Sequence, residues 1–257
     1  MQLGLNGRTA LITGGSRGIG FGTARILASE GCHLHIASRN AESLAKARRR
    51  ITEVHKVDVT CHPLDLSSSD NVRKLAAACG DVDILVNNAG AIPQGGLSAL
   101  DEKTWREAWD LKVFGFINLT REIYRNMCER RSGVIVNVIG IAGERPSANY
   151  IAGSMGNASL MAMTRALGAN SPEFGVRVVG VNPGAIETDR QVVRWRARAE
   201  KELGNAEHWR EFTKRFPFGR LGTVDEVVNM IAFLCSDLSS YTTGTVVTID
   251  GGAAART

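Results

Sequence analysis

No apolar run in this chain of 257 residues approaches the roughly 20 residues that a helix needs to cross a bilayer, so no membrane partner is expected. The start of the chain lacks a basic-then-apolar leader with a small-residue cleavage site, which predicts a cytoplasmic protein. No CxxC pair occurs. Cys32, Cys61, Cys79, Cys128 and Cys235 lie far apart, a spacing that suits reduced thiols better than a disulfide or zinc framework. Histidine is scarce too. His33 and His35 would share one strand face, but no cysteine or carboxylate cluster accompanies them in the sequence, and no metal is expected. Repeats, low-complexity tracts and linkers are absent, and 44% apolar content over this length suffices for one core, so a single domain over 1–257 is predicted.

The net charge of +5 is unevenly placed. "KARRR" (46–50) ends a predicted helix, where cations suit the negative end of the dipole, and "DRQVVRWRARAEK" (189–201) forms a second basic stretch. Neither has the interleaved aromatics of a strand-binding platform, so nucleic acid is not an expected partner. If 189–201 is helical, Arg190, Arg194 and Arg198 recur every four positions on one face. Two readings stand: a solvated surface, or a site that draws in an acidic or phosphorylated ligand.

What the chain does have is alternation. Strand-like runs at 9–13, 33–38, 57–64, 83–87, 133–138, 176–182 and 245–250 are separated by helical patterns near 18–30, 41–53, 68–79, 102–130, from 149, and near 223–236. Such a rhythm predicts right-handed crossovers and a parallel sheet covered on both faces, a doubly wound α/β fold of about seven strands. The stretch near 188–216 reads as irregular, a lid-like insertion. Directly after the first run, "TGGSRGIG" (13–20) opens a helix. Gly14 can make the tight turn, Gly18 can admit a pyrophosphate, and Gly20 can let helix and strand pack closely; Ser16, Arg17 and Ile19 complete the loop.

With "NNAG" (87–90), "NPGAIET" (182–188), "PFGRLGTVDEV" (217–227) and "TGTVVTIDGG" (243–252), that loop makes the whole chain resemble the short-chain dehydrogenase/reductase family. The resemblance implies a Rossmann-type fold and a nicotinamide dinucleotide cofactor. It implies Asn88, Ala89 and Gly90 on the adenosine and phosphate side, Asp65 and Leu66 at the adenine, and Pro183, Gly184, Ile186 and Thr188 at the nicotinamide. It also implies a homodimer or homotetramer paired through the helices near 102–130 and from 149. An NAD enzyme usually places an acid at the end of the second strand. Here "ASRN" offers Ser38 and Arg39, with Arg17 close by, which favours NADP(H) over NAD(H); the competing reading of Arg39 is a solvated loop charge.

At the positions where the family carries its catalytic asparagine, serine, tyrosine and lysine, the alignment places Lys112, Gly140, Gly153 and Asn157. Tyr150, three residues before Gly153, has no lysine four residues on, since Ser154 stands there; it either packs or works from its own place. The residues left to move a proton are Tyr150, Ser154, Lys112 and Asn157, or water. Gly140, Gly153 and Gly156 suggest a widened cleft. Lys112 and Asn157 look like an exchange of lysine and asparagine that would keep one ammonium and one amide near the nicotinamide, unless Lys112 extends to solvent. The function expected is an NADP(H)-dependent oxidoreductase acting on a carbonyl or alcohol of a small molecule, an acidic one if the basic face draws in a ligand; the alternative is a cofactor-binding protein without turnover.

Overall fold

The computed structural model describes residues 2–256. Seven strands, β1 (Thr9–Thr13), β2 (His33–Ser38), β3 (Val59–Pro63), β4 (Ile84–Asn87), β5 (Gly133–Val138), β6 (Val176–Pro183) and β7 (Val246–Ile249), form one sheet. Every pair is parallel, in the order β3-β2-β1-β4-β5-β6-β7. Both faces are covered because alternate strand residues point to opposite sides. Ile12, Ile36, Val86 and Val136 pack with Leu27, Leu44 and Ile231, whereas their neighbours Leu11, Leu85 and Ile135 pack with Leu75, Leu119 and Ile123. The first set comes from helices α1 (Gly18–Ser29), α2 (Ala41–Thr52) and Val224–Cys235; the second comes from α3 (Ser69–Ala78) and Gly115–Arg130.

Two segments differ from the sequence expectation. The helix expected over 102–130 is α4 (Glu102–Trp109), one turn of π-helix (Asp110–Phe114) and α5 (Gly115–Arg130), and that turn carries Lys112. Such bulges collect at functional sites because they re-aim side chains. After α6 (Ile151–Asn170), the stretch expected to be irregular is ordered as α7 (Asp189–Leu203) and a short 3₁₀ segment (Ala206–Thr213). Thr188 caps α7, and Ala199, Trp209 and Leu221 form a small core with Trp195, Phe212 and Phe216. Helix α8 (Val224–Cys235) starts on a capping box between Thr223 and Glu226. None of the described helices is long and apolar enough to cross a membrane.

Candidate active site

Between β1 and β4 the strand order reverses, and the carboxyl ends of the strands open there onto a cavity of about 600 Å³. This is where open α/β sheets bind ligands, and the volume is that of a ligand pocket. At one end the cavity is lined by Gly14, Ser16, Arg17, Gly18 and Ile19. Gly20 lies behind them; a Cβ there would collide with the Gly14 carbonyl, so glycine lets α1 approach β1. Thr13, which the sequence reading did not single out, ties the first loop to the fourth strand. Its Oγ1 accepts from the backbone N–H of Asn88 (2.9 Å) and of Ala89 (3.0 Å), while the Asn88 amide donates back to the Thr13 carbonyl at 3.0 Å.

Asn88, Ala89 and Gly90 line the cavity, as do Ser38 and Arg39, joined by Asn40 and Ser43. The Ser38 hydroxyl is buried without a hydrogen-bond partner. An unmet buried donor costs about 1–3 kcal/mol, so a ligand group belongs against it. The open glycine loop, the unmet hydroxyl and the Arg17 and Arg39 guanidiniums together fit the phosphate-bearing portion of a nicotinamide dinucleotide. On the adenine side Leu64 and Leu66 line the cavity, and Asp65 stands between them with its carboxylate accepting from the Ser67 N–H and hydroxyl at 3.1 and 2.9 Å. Pro183, Gly184 and Thr188 line the far end; Ile186 instead packs into the main core, its backbone bridged to Gly222.

The glycines at the reaction end do not widen the cleft as the sequence suggested. The ring of Tyr150 lies across Gly153, so that a Cβ there would run into Cε1 and Cζ and stand 2.6 Å from Oη. A Cβ on Gly156 would come within 3.1 Å of Val113 and 3.5 Å of the Trp109 ring, so that glycine is filled from the protein side. Gly140 has φ +124°, a conformation open to glycine, and its Cβ position is 3.1 Å from the Asn157 amide. Tyr150 itself caps α6 and packs beside Ile92, Leu100, Trp105 and Trp109, with Trp109 Nε1 donating to the Ala152 carbonyl at 3.0 Å.

Lys112 is buried and lines the cavity; it does not extend to solvent. Its Nζ donates to the Val138 carbonyl at 2.7 Å and sits 4.3 Å from the centre of the Phe116 ring. Burial holds this amine down at about 7. The Asn157 amide donates to the Gly140 carbonyl at 3.2 Å. Lysine and asparagine thus hold two carbonyls of one strand end rather than each other. Ser154 does not line the cavity, and its hydroxyl accepts from the Ser147 N–H at 3.1 Å.

Arg190 and Arg194 reach the cavity from α7. Arg198 does not: it forms a bidentate pair with Glu202, so the single basic face divides. Burial raises the Tyr150 phenol above its ordinary pKa, against the opposing pull of Arg190 and Arg194. The phenol is therefore protonated at neutral pH. Partial burial, then Arg194 and Arg17, lower Arg190 from its ordinary value. The histidines also group otherwise than expected: His33 faces Asp58 at 3.1 Å, while His35 meets His62 and Cys79, outside this cavity.

A family model described as enoyl-(acyl carrier protein) reductase matches residues 14–254. The chain is 33% identical over 251 residues to a 3-oxoacyl-[acyl-carrier-protein] reductase of Chlamydia muridarum, covering 96% of this chain and 97% of that one. The structure of L-sorbose reductase from Gluconobacter frateurii, complexed with NADPH and L-sorbose, superposes with a TM-score of 0.93 over the full length of both chains at 27% identity. A solved short chain dehydrogenase/reductase family protein is 32% identical over both full chains, with a TM-score of 0.85. These relatives carry oxidoreductase names, so the alternative of a binding protein without turnover gains no support from them.

Proposed function

Because the chain belongs to the short-chain dehydrogenase/reductase family and is an NAD(P)-dependent oxidoreductase of that type, we propose that it is an NADP(H)-dependent reductase of an anionic carbonyl compound, with Tyr150 as proton donor. The observation that carries this reading is the Tyr150 ring lying across Gly153 at the wall of the cavity. On this reading Lys112, Gly140, Gly153 and Asn157 stand where the family usually carries asparagine, serine, tyrosine and lysine, which leaves Tyr150 the acidic hydroxyl at the reaction end.

Bound nicotinamide would supply the hydride. The Tyr150 phenol, held protonated by burial, donates its proton to the oxygen that gains charge as the carbonyl is reduced. Arg190 and Arg194 hold the anionic part of the substrate and stabilise the phenolate left behind. Lys112 and Asn157 fix the cavity floor through the Val138 and Gly140 carbonyls. Arg17, Ser38 and Arg39 favour a 2′-phosphate on the cofactor. On this reading residues 188–216 form the substrate lid, the protein works in the cytoplasm, and Phe114 and Met155, exposed apolar residues on the π turn and α6, belong to the face that pairs subunits in a homodimer or homotetramer.

The test is to screen oxo acids and matched neutral ketones by NADPH absorbance, with the unaltered protein and with Tyr150→Phe. Turnover of an oxo acid should fall by about 10²–10⁴-fold in Tyr150→Phe while NADPH affinity holds. Equal turnover by the two proteins overturns the assignment of Tyr150, and reduction of neutral ketones alone overturns the substrate class.

A further inference from the structure

At the β3 edge of the sheet three side chains converge. His35 lies in β2 and His62 in the edge strand β3, where the register pairs Ala37 with His62. His35 is two residues before Ala37, so the two imidazoles fall diagonally on one face. Cys79 ends α3 and is fully buried. His35 Nδ1 is 2.8 Å from His62 Nε2, and His62 Nε2 is 3.6 Å from the Cys79 sulfur. All three donor atoms lie within 4.8 Å of one another, and none of these residues lines the cofactor cavity.

We propose that His35, His62 and Cys79 form a binding site for a zinc-class divalent cation. With metal–nitrogen bonds near 2.05 Å and a metal–sulfur bond near 2.3 Å, a tetrahedral site separates two nitrogens by about 3.4 Å and nitrogen from sulfur by about 3.6 Å. The His62–Cys79 spacing already meets this. The two imidazole nitrogens sit about half an ångström too close, at the distance of the hydrogen bond that the metal would replace, and both rings are only half-buried and able to part. Two imidazoles and a thiol select a borderline-soft ion rather than magnesium or calcium. A water would fill the fourth position, and with one thiolate the occupied site would carry one net positive charge.

Binding forms two metal–nitrogen bonds and one metal–sulfur bond. The Cys79 thiol proton goes to solvent, and each imidazole stays neutral with its N–H on the nitrogen turned away from the metal. The burial that raises the Cys79 thiol to about 12 makes that proton release the main cost. An occupied site would clip the edge strand to β2 and α3. Because β3 leads into Leu64 and Leu66 on the cavity wall, the clip would stiffen the adenine side of the cleft.

The probe is cobalt(II), then zinc, added to the chelator-treated full-length protein. One cobalt per chain should bind with a thiolate-to-cobalt charge-transfer band, zinc should displace it, and zinc should raise the thermal midpoint. Cys79→Ser should abolish the band, and His62→Gln should weaken binding at least tenfold, whereas His33→Gln should leave both unchanged. If Cys79→Ser does not fold, the half-buried His62→Gln carries the test. Absence of the band in the unaltered protein, its survival in Cys79→Ser, or an unchanged cobalt affinity in His62→Gln overturns the proposal.

Discussion

At the phosphate end of the cleft, the place of a side chain on Gly18 has only ordinary contact with Thr188 and stays open to a ligand, whereas at the reaction end Gly153 leaves a space that Tyr150 of the same chain occupies. Both ends depend on missing side chains, with different consequences. An open glycine loop next to an unmet Ser38 hydroxyl is a place for a molecule from outside. A glycine under a tyrosine ring is a seat for a residue from inside. Counting glycines therefore does not measure the width of a cleft; what stands over each one does.

The largest effects should come from filling either seat. Gly153→Ala puts a methyl into the Tyr150 ring and must displace the phenol. Turnover should drop by about 10²–10⁴-fold, as expected when a general acid is lost, with NADPH affinity nearly unchanged in a fluorescence titration. Gly20→Ala sets its methyl against the Gly14 carbonyl and should abolish nucleotide binding in the same titration. A Gly153→Ala protein with full turnover would show that Tyr150 does not need its seat, and the contrast between the two ends would collapse.

Charge reversal at the phosphate end comes next. Arg39→Glu should cut the preference for NADPH over NADH by about tenfold, the range of one charge-assisted hydrogen bond, measured as the ratio of the two dissociation constants. Equal affinity of the unaltered protein for both nucleotides would remove Arg39 from that role. The reaction end should respond more weakly. Arg190→Gln and Arg194→Gln should each raise KM for an oxo acid about threefold, and added salt should erode the difference because both side chains are exposed. A salt-independent KM would return these arginines to the solvated surface.

The difference between the two ends also governs how much the sequence revealed. The glycine loop, "NNAG" and the strands that carry them were legible because local pattern determines them: a strand, a turn and a helix in immediate succession. The contact between Tyr150 and Gly153 was not legible, since it depends on how a ring outside the first turn of α6 folds back over that helix. The break in the helix over 102–130 was equally hidden, because a π turn disturbs the apolar period by one residue only. The order within 188–216 did have a signal. Val192, Trp195 and Ala199 recur at helical spacing on the face that packs inward, and the abundance of arginine between them obscured it. Ser154 and Asp65 each have a local partner that the sequence pattern did not reveal, the Ser154 hydroxyl accepting from the Ser147 N–H and the Asp65 carboxylate from the Ser67 N–H.

The smallest expected effect tests Lys112, a lysine buried at the reaction end. Its amine is held at about 7 by burial, whereas an unfolded lysine keeps its proton to about 10.4. Between those values the unfolded chain binds more protons than the folded one, so this group makes the protein more stable as pH rises through the window. Cys32 and Cys79 act in the opposite sense. Burial raises both thiols to about 12, so the folded chain keeps protons that the unfolded chain releases from about 8.5 upward, and stability falls. A single pH scan mixes the two effects. Lys112→Met separates them, because the cysteine contribution is common to both proteins and cancels in the difference of their thermal midpoints. That difference, unaltered protein minus variant, should grow in favour of the unaltered protein from pH 7 to pH 9.5 by a few degrees. A difference that stays flat with pH would mean that Lys112 keeps its charge in the folded state, with the Val138 carbonyl and the Phe116 ring sufficient to hold an ammonium in the cavity wall.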